Sequence, residues 1–556
     1  MPGTTPNVLL VYPKFSNTSF WNFLETCDLA GAKYPAPPLG LITVAAMLPG
    51  DWPVRLIDMN TQELNDEDID WADMVMFSGM ISQQPHLLKE AARCKERGKV
   101  TVVGGPDVSS HPEVYADLDI RVIGEAEGVL DEVIEAWKGG MREGEFRAPL
   151  HTVDVTTTPV PRYDLLKLDD YLMINVQLSR GCPFLCEFCD IIELFGRKPR
   201  TKMETQILGE LDRLYELGYR GHVDFVDDNL IGNKKSVKAF LPKLIEWQKK
   251  NGFPFEFSTE ASLNLADDPE FLGMMRDAGF FTCFVGIESP DPDVLIAMKK
   301  KQNIKRDIAE SVHTIQSYGI FVIAGFIVGF DNESEYAAQG MIELIEEASI
   351  PVAMVGLLTA LPNTQLQRRL EKEGRLDPLY GMLEKDDDGD QCLSGLNFET
   401  LRPRADILSE YYKVVDTIMS PDSFFKRVRN MVGHLDVSGP SGDLSRKMLL
   451  KDAKHLITFF WNATVTRPDL RGHYWKLLAY VLRHKPRAIK HALYCASLYA
   501  HLGKFSEIVK VEMRDQIAFC RENPDASQRE AYFRKMDLPA AAVVDAPEEA
   551  AIAAAE

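Results

Sequence analysis

The sequence predicts an α/β protein in three parts: a doubly wound parallel sheet, a partial barrel of six βα units, and a helical C-terminal region. Three observations carry this. Short β-rich runs alternate with helical patterns from Val8 to about Trp137, a second alternation runs from Leu172 to about Leu366, and beyond Pro403 the pattern turns helical. At 556 residues the chain is too long for one ordinary core, so several domains are expected.

In the first series the strands read VLLVYP, VRLIDMN, MVMFSGM, VTVVGGPDV and IRVIGEAEG. Their carboxyl ends carry Gly, Asp and Asn in succession, and in open parallel sheets ligands bind outside those ends. The spacing predicts a domain over 1–140, and the Gly-, Pro- and Thr-containing stretch 141–170, poor in periodicity, reads as a linker. The second series, 171–370, contains LMINVQLSR, HVDFVDDN, FEFSTEAS, FFTCFVGIES, FVIAGFIVGF and VAMVGLLTA. Six such units make a barrel whose site lies at the strand ends. Helical segments such as ILSEYYKVVDTIM and YWKLLAYVLRHKPRAIKHALYCASLYAHL fill 371–537, and the Ala- and Glu-rich 538–556 reads as a disordered tail.

Composition narrows the function. Apolar residues make up 45% and charged residues 26%, a soluble globular balance. A formal net charge of -21 would repel a phosphate backbone, which argues against a nucleic-acid partner. The start, MPGTTPNVLLVYP, lacks the basic flank of a signal peptide, and no apolar run is long enough to span a bilayer, so a cytoplasmic location is expected.

Nine cysteines are too few and scattered for a disulfide scaffold, yet Cys182, Cys186 and Cys189 fall within eight residues, in LSRGCPFLCEFCD at the end of the first barrel strand. Three thiolates on one loop can hold one iron–sulfur cluster. A four-iron cluster with three protein ligands leaves one iron open to a chelating group such as the amino and carboxylate groups of S-adenosylmethionine (SAM). A structural zinc site needs a second ligand pair, which neither Cys283 nor His222 supplies. Cys27, Cys94, Cys392, Cys495 and Cys520 have no partner at metal spacing.

The motif and barrel resemble the radical SAM superfamily across 172–366. The resemblance implies a 4Fe-4S cluster on Cys182, Cys186 and Cys189, with Phe188 near the adenine and Asp227 and Asp228 where the second strand meets the SAM amino group. It further implies SAM contacts from Glu260 and Ser262 after the third strand, Glu288 after the fourth, and Gly325, Phe326 and Ile327 beside the adenine.

A preceding α/β domain together with PAPPLGLITVAAML resembles the cobalamin-dependent branch of that superfamily, in a subgroup with the hopanoid C-2 methylases. This implies a Rossmann-like cobalamin-binding domain whose contacts are Asp58, Met59, Asn60, Ser78, Gly79, Met80, Gly104, Gly105, Pro106, Asp107, Ser109, Gly124, Glu125 and Glu127. The Asp-x-His-x-x-Gly axial-ligand motif is absent, and His86 and His111 lie in other contexts.

The implied reaction is methyl transfer to an unactivated carbon of a small or lipid-like substrate, through a 5′-deoxyadenosyl radical and methylcobalamin, with a flavodoxin- or ferredoxin-type electron donor. No side-chain base deprotonates an alkyl carbon near neutral pH, so the cofactors must supply the chemistry. The alternative is a cobalamin-binding radical SAM cyclase, oxidoreductase or rearrangement enzyme without methyl transfer. Methylthiolation of tRNA would want a second cysteine trio and a basic end module, and a non-catalytic sensor would not need intact cluster ligands. The basic, aromatic stretch Arg467 to Lys504 is a candidate surface for lipid or membrane contact.

Overall fold

The computed structural model describes residues 5–523 except 17, 377–389, 391, 440–460, 462, 463 and 466, so the tail lies outside the described residues. The first sheet holds β1 (Val8–Tyr12), β2 (Val54–Asp58), β3 (Met74–Ser78), β4 (Val100–Gly104), β5 (Ile120–Ile123) and β6 (Gly144–Arg147), in the order β2-β1-β3-β4-β5-β6. All its pairings are parallel. Because helices cover both faces, β1 reads as a continuous apolar run: Val8 and Leu10 enter one core while Leu9 and Val11 enter the other. Strand order reverses between β1 and β3, which opens the crevice at their carboxyl ends. The sheet also extends into the segment read as a linker, where β6 pairs with Ile120–Ile123. Its four residues GEFR alternate without strong hydrophobicity, so periodicity alone did not reveal an edge strand.

The second sheet is a partial barrel of β7 (Met173–Val176), β10 (Gly221–Phe225), β11 (Phe255–Ala261), β12 (Thr282–Glu288), β13 (Phe321–Val328) and β14 (Val352–Leu357), in the order β14-β13-β12-β11-β10-β7. A small antiparallel pair, β8 (Ser179–Arg180) with β9 (Arg200–Thr201), brackets the cysteine loop. Register divides the lumen into two walls. Asn175, Asp224 and Ser258 align on one side, while Phe284 aligns with Ile323, and Gly325 with Met354, on the other.

The C-terminal helices close the lower end. The helix Ile489–Glu522 sets Tyr494 against Phe281, Phe321 and His222 near the strand starts. Fully buried Arg427 pins the helix Pro421–His434 to the barrel, donating to Glu346 Oε1 at 2.6 Å and to the carbonyls of Ile350 and Ile418. The segment YWKLLAYVLRHKPRAIKHALYCASLYAHL forms parts of two helices, Arg471–His484 and Ile489–Glu522, because Pro486 cannot supply an amide to a continuous helix. Among the described residues no helix is long and apolar enough to cross a membrane.

Candidate functional site

The cysteine loop is held by a glycine turn at its start and by two carboxylates beneath it. Gly181 takes φ +98°, and a Cβ there would lie 2.9 Å from the Gly196 carbonyl oxygen, so only glycine fits the turn into Cys182. The acidic pair after β10 holds the loop's base: Asp227 accepts from the Leu178 amide at 3.1 Å and from Ser179, and Asp228 accepts from the Gly181 amide at 2.6 Å. Asp227 is 1% exposed and both its oxygens are engaged by the chain, so it acts on the loop. Burial pushes Asp227 up to about 7 and Asp228 up to about 6.

Burial also raises all three thiols, Cys189 furthest. Donors face them: Asn229 Nδ2 stands 3.8 Å from Cys182 Sγ and Gln302 Nε2 stands 3.9 Å from Cys186 Sγ. The buried Lys300 ammonium draws Cys186 downward against that burial. Thiols that are hard to ionise alone, yet ringed by amide donors and a cation, suit a site where iron supplies the charge that deprotonates them. Among the described residues no three His, Cys, Asp or Glu side chains converge on a single metal ion.

Lys300 pairs with Glu288 in a buried contact under the cysteine loop. Glu288 itself has φ +71°, and the β12–β13 register shifts between Gly286 and Glu288, so the backbone is strained where the carboxylate turns inward. A Cβ on Gly286 would meet Glu288 Oε1 at 2.4 Å and Lys300 Nζ at 2.8 Å, so a side chain there would displace the ion pair. Phe188 packs edge-on against Phe330 at 6.1 Å, with Lys300 Nζ 6.0 Å from its ring. Ser262 bonds Asn229 and Asn264. Glu260 carries a buried, unpartnered Oε2; burial, with Asp224 and Asp227 nearby, drives its pKa well above the carboxylate range. Gly325 and Ile327 share the lumen face, whereas Phe326, 1% exposed, packs into the shell on the opposite face.

The first domain's strand ends lie along one edge, as the sequence predicts, but several of their side chains are already engaged. Asp58 accepts from the Asn60 amide at 2.9 Å and from Tyr171 Oη at 2.9 Å, which ties the edge to the barrel's approach. Asp107 accepts from Gln84 at 2.8 Å and from Tyr115. Ser109 Oγ donates to the Gly105 carbonyl and accepts from the Gly124 amide. Gly105, with φ +107°, would put a Cβ 2.4 Å from Ser78 Oγ, and a Cβ on Gly104 would lie 3.3 Å from the Val122 carbonyl oxygen. Glycine at 105 is therefore demanded by the turn itself. Pro106 opens the short helix Pro106–Ser110. Met59 is half-buried and Met80 50% exposed, near the loop after β1 that Gln83 and Asn60 hold through Pro13 and Phe15, whereas Gly79 is buried against Gln83 and Leu87.

Glu125 and Glu127 face the cysteine loop. Arg180, two residues before Cys182, grips Glu127 with two bonds of 2.7 and 3.0 Å and reaches Glu125 at 3.1 Å; Arg200 takes the other Glu125 oxygen at 2.7 Å. Side-chain exposures of 14% for Arg180 and 5% for Glu127 make this a buried clamp. Burial alone would raise Glu127, but Arg180 outweighs it and holds the carboxyl at about 2. The clamp fixes the strand edge against the cluster loop. Sequence reasoning missed Arg180, Arg200, Asn229, Lys300 and Gln302; only the Arg in SRGC carried a signal, being next to the metal motif.

A thiol trio at the mouth of a partial barrel, facing the carboxyl edge of a doubly wound sheet, defines a radical SAM enzyme with a corrin-binding domain. Residues 26–134 match the B12 binding domain, 176–345 the Radical SAM superfamily, and 364–515 a domain of unknown function, DUF4070. The chain is 41% identical to an uncharacterized methyltransferase of Synechocystis sp., over 92% of this chain and 94% of that one. It is 36% identical to the hopanoid C-2 methylase of Rhodopseudomonas palustris, over 90% and 93%. The chain belongs to the cobalamin-dependent radical SAM family, in the group containing these two proteins. Its fold matches the cobalamin-dependent radical enzyme OxsB with aqua-cobalamin bound, at TM-score 0.58 and 16% identity, covering 94% of this chain and 82% of that one. The cofactors of this enzyme are a 4Fe-4S cluster, SAM and cobalamin.

Proposed function

We propose that the protein transfers a methyl group from SAM to an unactivated carbon of a lipid-like substrate. The observation that carries this reading is the Arg180 clamp. It ties the strand end carrying Glu125 and Glu127, in the domain that would hold cobalamin, to the loop that bears Cys182, so the two cofactors would address one space. When bound, the cluster, SAM and cobalamin supply reductive SAM cleavage, hydrogen abstraction and delivery of the methyl group.

The chain's own residues bind, orient and exclude water. Cys182, Cys186 and Cys189 would hold the cluster, Asn229 and Gln302 face the Cys182 and Cys186 sulfurs as donors, and Lys300 would offset thiolate charge. Phe188, Ser262, Glu288, Gly325 and Ile327 border the SAM side. Met80 and Met59 border the corrin side. The apolar wall of Phe284, Ile323 and Met354, beside the carboxyls of Glu260 and Glu288, offers contact to a hydrocarbon skeleton. Trp21 packs its ring against Phe284 at 5.6 Å between centroids. A flavodoxin- or ferredoxin-type donor in the cytoplasm supplies the electrons.

The relative named as a hopanoid methylase supports a polycyclic lipid as substrate. Comparing lipid extracts of cells with and without the gene by mass spectrometry tests the reading. A species heavier by one methylene appears only with the gene; a cyclised or oxidised product instead would support the non-methylating alternative.

A further inference from the structure

The helix Arg471–His484 buries Tyr474, Leu477 and Val481 against the neighbouring C-terminal helices. At 100° per residue, the opposite face carries Trp475, Ala479 and Leu482 in one stripe, with Arg471 on one flank and Lys476 and Arg483 on the other. Trp475 is 46% exposed and Leu482 is 55% exposed. Single exposed apolar residues are ordinary, but two large ones aligned at i and i+7 between cations form a patch. Arg487 extends the basic flank in the turn Pro486–Ala488.

Charge sets this face apart. The chain carries a net charge of -21, yet no carboxylate among the described residues pairs with Arg471, Lys476, Arg483 or Arg487. Nearby basic groups are engaged: Lys490 pairs with Glu256, and His473 lies 3.8 Å from Asp422. Four unpaired cations around an exposed Trp and Leu match a surface that is anionic outside and apolar beneath. An acidic globular partner would answer the cations but not the exposed apolar stripe between them.

We propose that this face docks the enzyme on an anionic lipid bilayer. Trp475 and Leu482 enter the boundary between headgroups and acyl chains, and Arg471, Lys476, Arg483 and Arg487 meet lipid phosphates. The attachment is peripheral, and it would bring a poorly water-soluble substrate within reach of the barrel. It extends the lipid-substrate reading but is tested apart from it.

The test co-sediments full-length, cluster- and cobalamin-loaded protein with vesicles under anaerobic conditions, without SAM or substrate. One set contains phosphatidylcholine and phosphatidylglycerol in equal parts, the other phosphatidylcholine alone. The protein should bind the anionic set and release from it at high salt. Lys476→Ala with Arg483→Ala should weaken binding about 25-fold, at about five-fold per cation. Trp475→Ala with Leu482→Ser should weaken binding while leaving the salt dependence in place. Equal binding to neutral vesicles, binding to neither, or wild-type binding by both variants would overturn the proposal. So would capture of a flavodoxin-type acidic protein by this face in place of the vesicles. Because no turnover is read, failure here leaves methyl transfer standing, and absent methyl transfer leaves the docking result standing.

Discussion

Replacing Arg180 by Met tests how the two halves of the site are held together. In the fold, Glu127 sits at about 2 against an ordinary value of 4.5, which corresponds to about 3 kcal/mol of stabilisation from its surroundings, most of it Arg180. Removing one partner of a buried pair typically costs about 3–5 kcal/mol, because the other charge is left stranded. Arg180→Met should therefore destabilise the protein by about 3 kcal/mol, since Arg200 reaches Glu125 but not Glu127. The sign with pH follows from the depressed pKa. The contribution is whole above pH 4.5 and is lost as pH falls toward 2. A double-mutant cycle with Glu127→Gln, read from urea unfolding of cofactor-free protein, isolates the pair from cluster loss. We expect a coupling energy of at least about 2 kcal/mol at pH 7, shrinking below pH 4.5. A coupling below about 0.5 kcal/mol at pH 7, or one that grows in acid, would refute the clamp.

Three further outcomes follow from the same geometry. Lys300→Met should shift the cluster midpoint potential to more negative values, on the order of 60 mV, because a buried cation beside Cys186 is lost. A redox titration followed by electron paramagnetic resonance reads it, and an unchanged or more positive potential would sink the role given to Lys300. Gly105→Ala should lower the melting temperature even without cobalamin, by about 2–3 kcal/mol in stability, because the Cβ meets Ser78 Oγ at a φ of +107°. Ser78→Ala should recover part of that loss, and a neutral Gly105→Ala would show that the turn tolerates a side chain. His86→Ala and His111→Ala should each keep bound cobalamin through desalting, since His86 accepts from the Lys14 amide and His111 lies 3.4 Å from Asp107. Loss of corrin absorbance in either would instead point to an axial imidazole.

The alternation of apolar runs made both sheets legible, because parallel strands buried on two faces need unbroken apolar stretches. The cysteine trio was legible because ligands on one loop must be close in sequence. What escaped was chemistry made by distant residues. Glu125 and Glu127 read as strand-end ligand contacts, since nothing in GEAEG discloses an arginine 53 residues away in sequence. Asp227 reads as a SAM contact until Leu178 and Ser179 are seen to occupy its oxygens. Lys300 sits in the run KKKQN, which looks like solvated charge, yet it is 6% exposed and pairs with Glu288. The edge strand β6 escaped for the opposite reason, carrying too few apolar residues to show a period.

The central claim is that one site both cleaves SAM at the three-cysteine cluster and passes a methyl group from SAM to carbon. Anaerobically reconstituted protein given reductant, cobalamin, a pentacyclic hopanoid lipid and SAM labelled with deuterium in its methyl group measures this directly. The account predicts a product carrying the intact labelled methyl group together with 5′-deoxyadenosine, and loss of both when Cys182, Cys186 or Cys189 is replaced by Ala. 5′-Deoxyadenosine without a labelled product across a panel of hopanoid and other polycyclic lipids, or a labelled product from a cysteine variant, would contradict it.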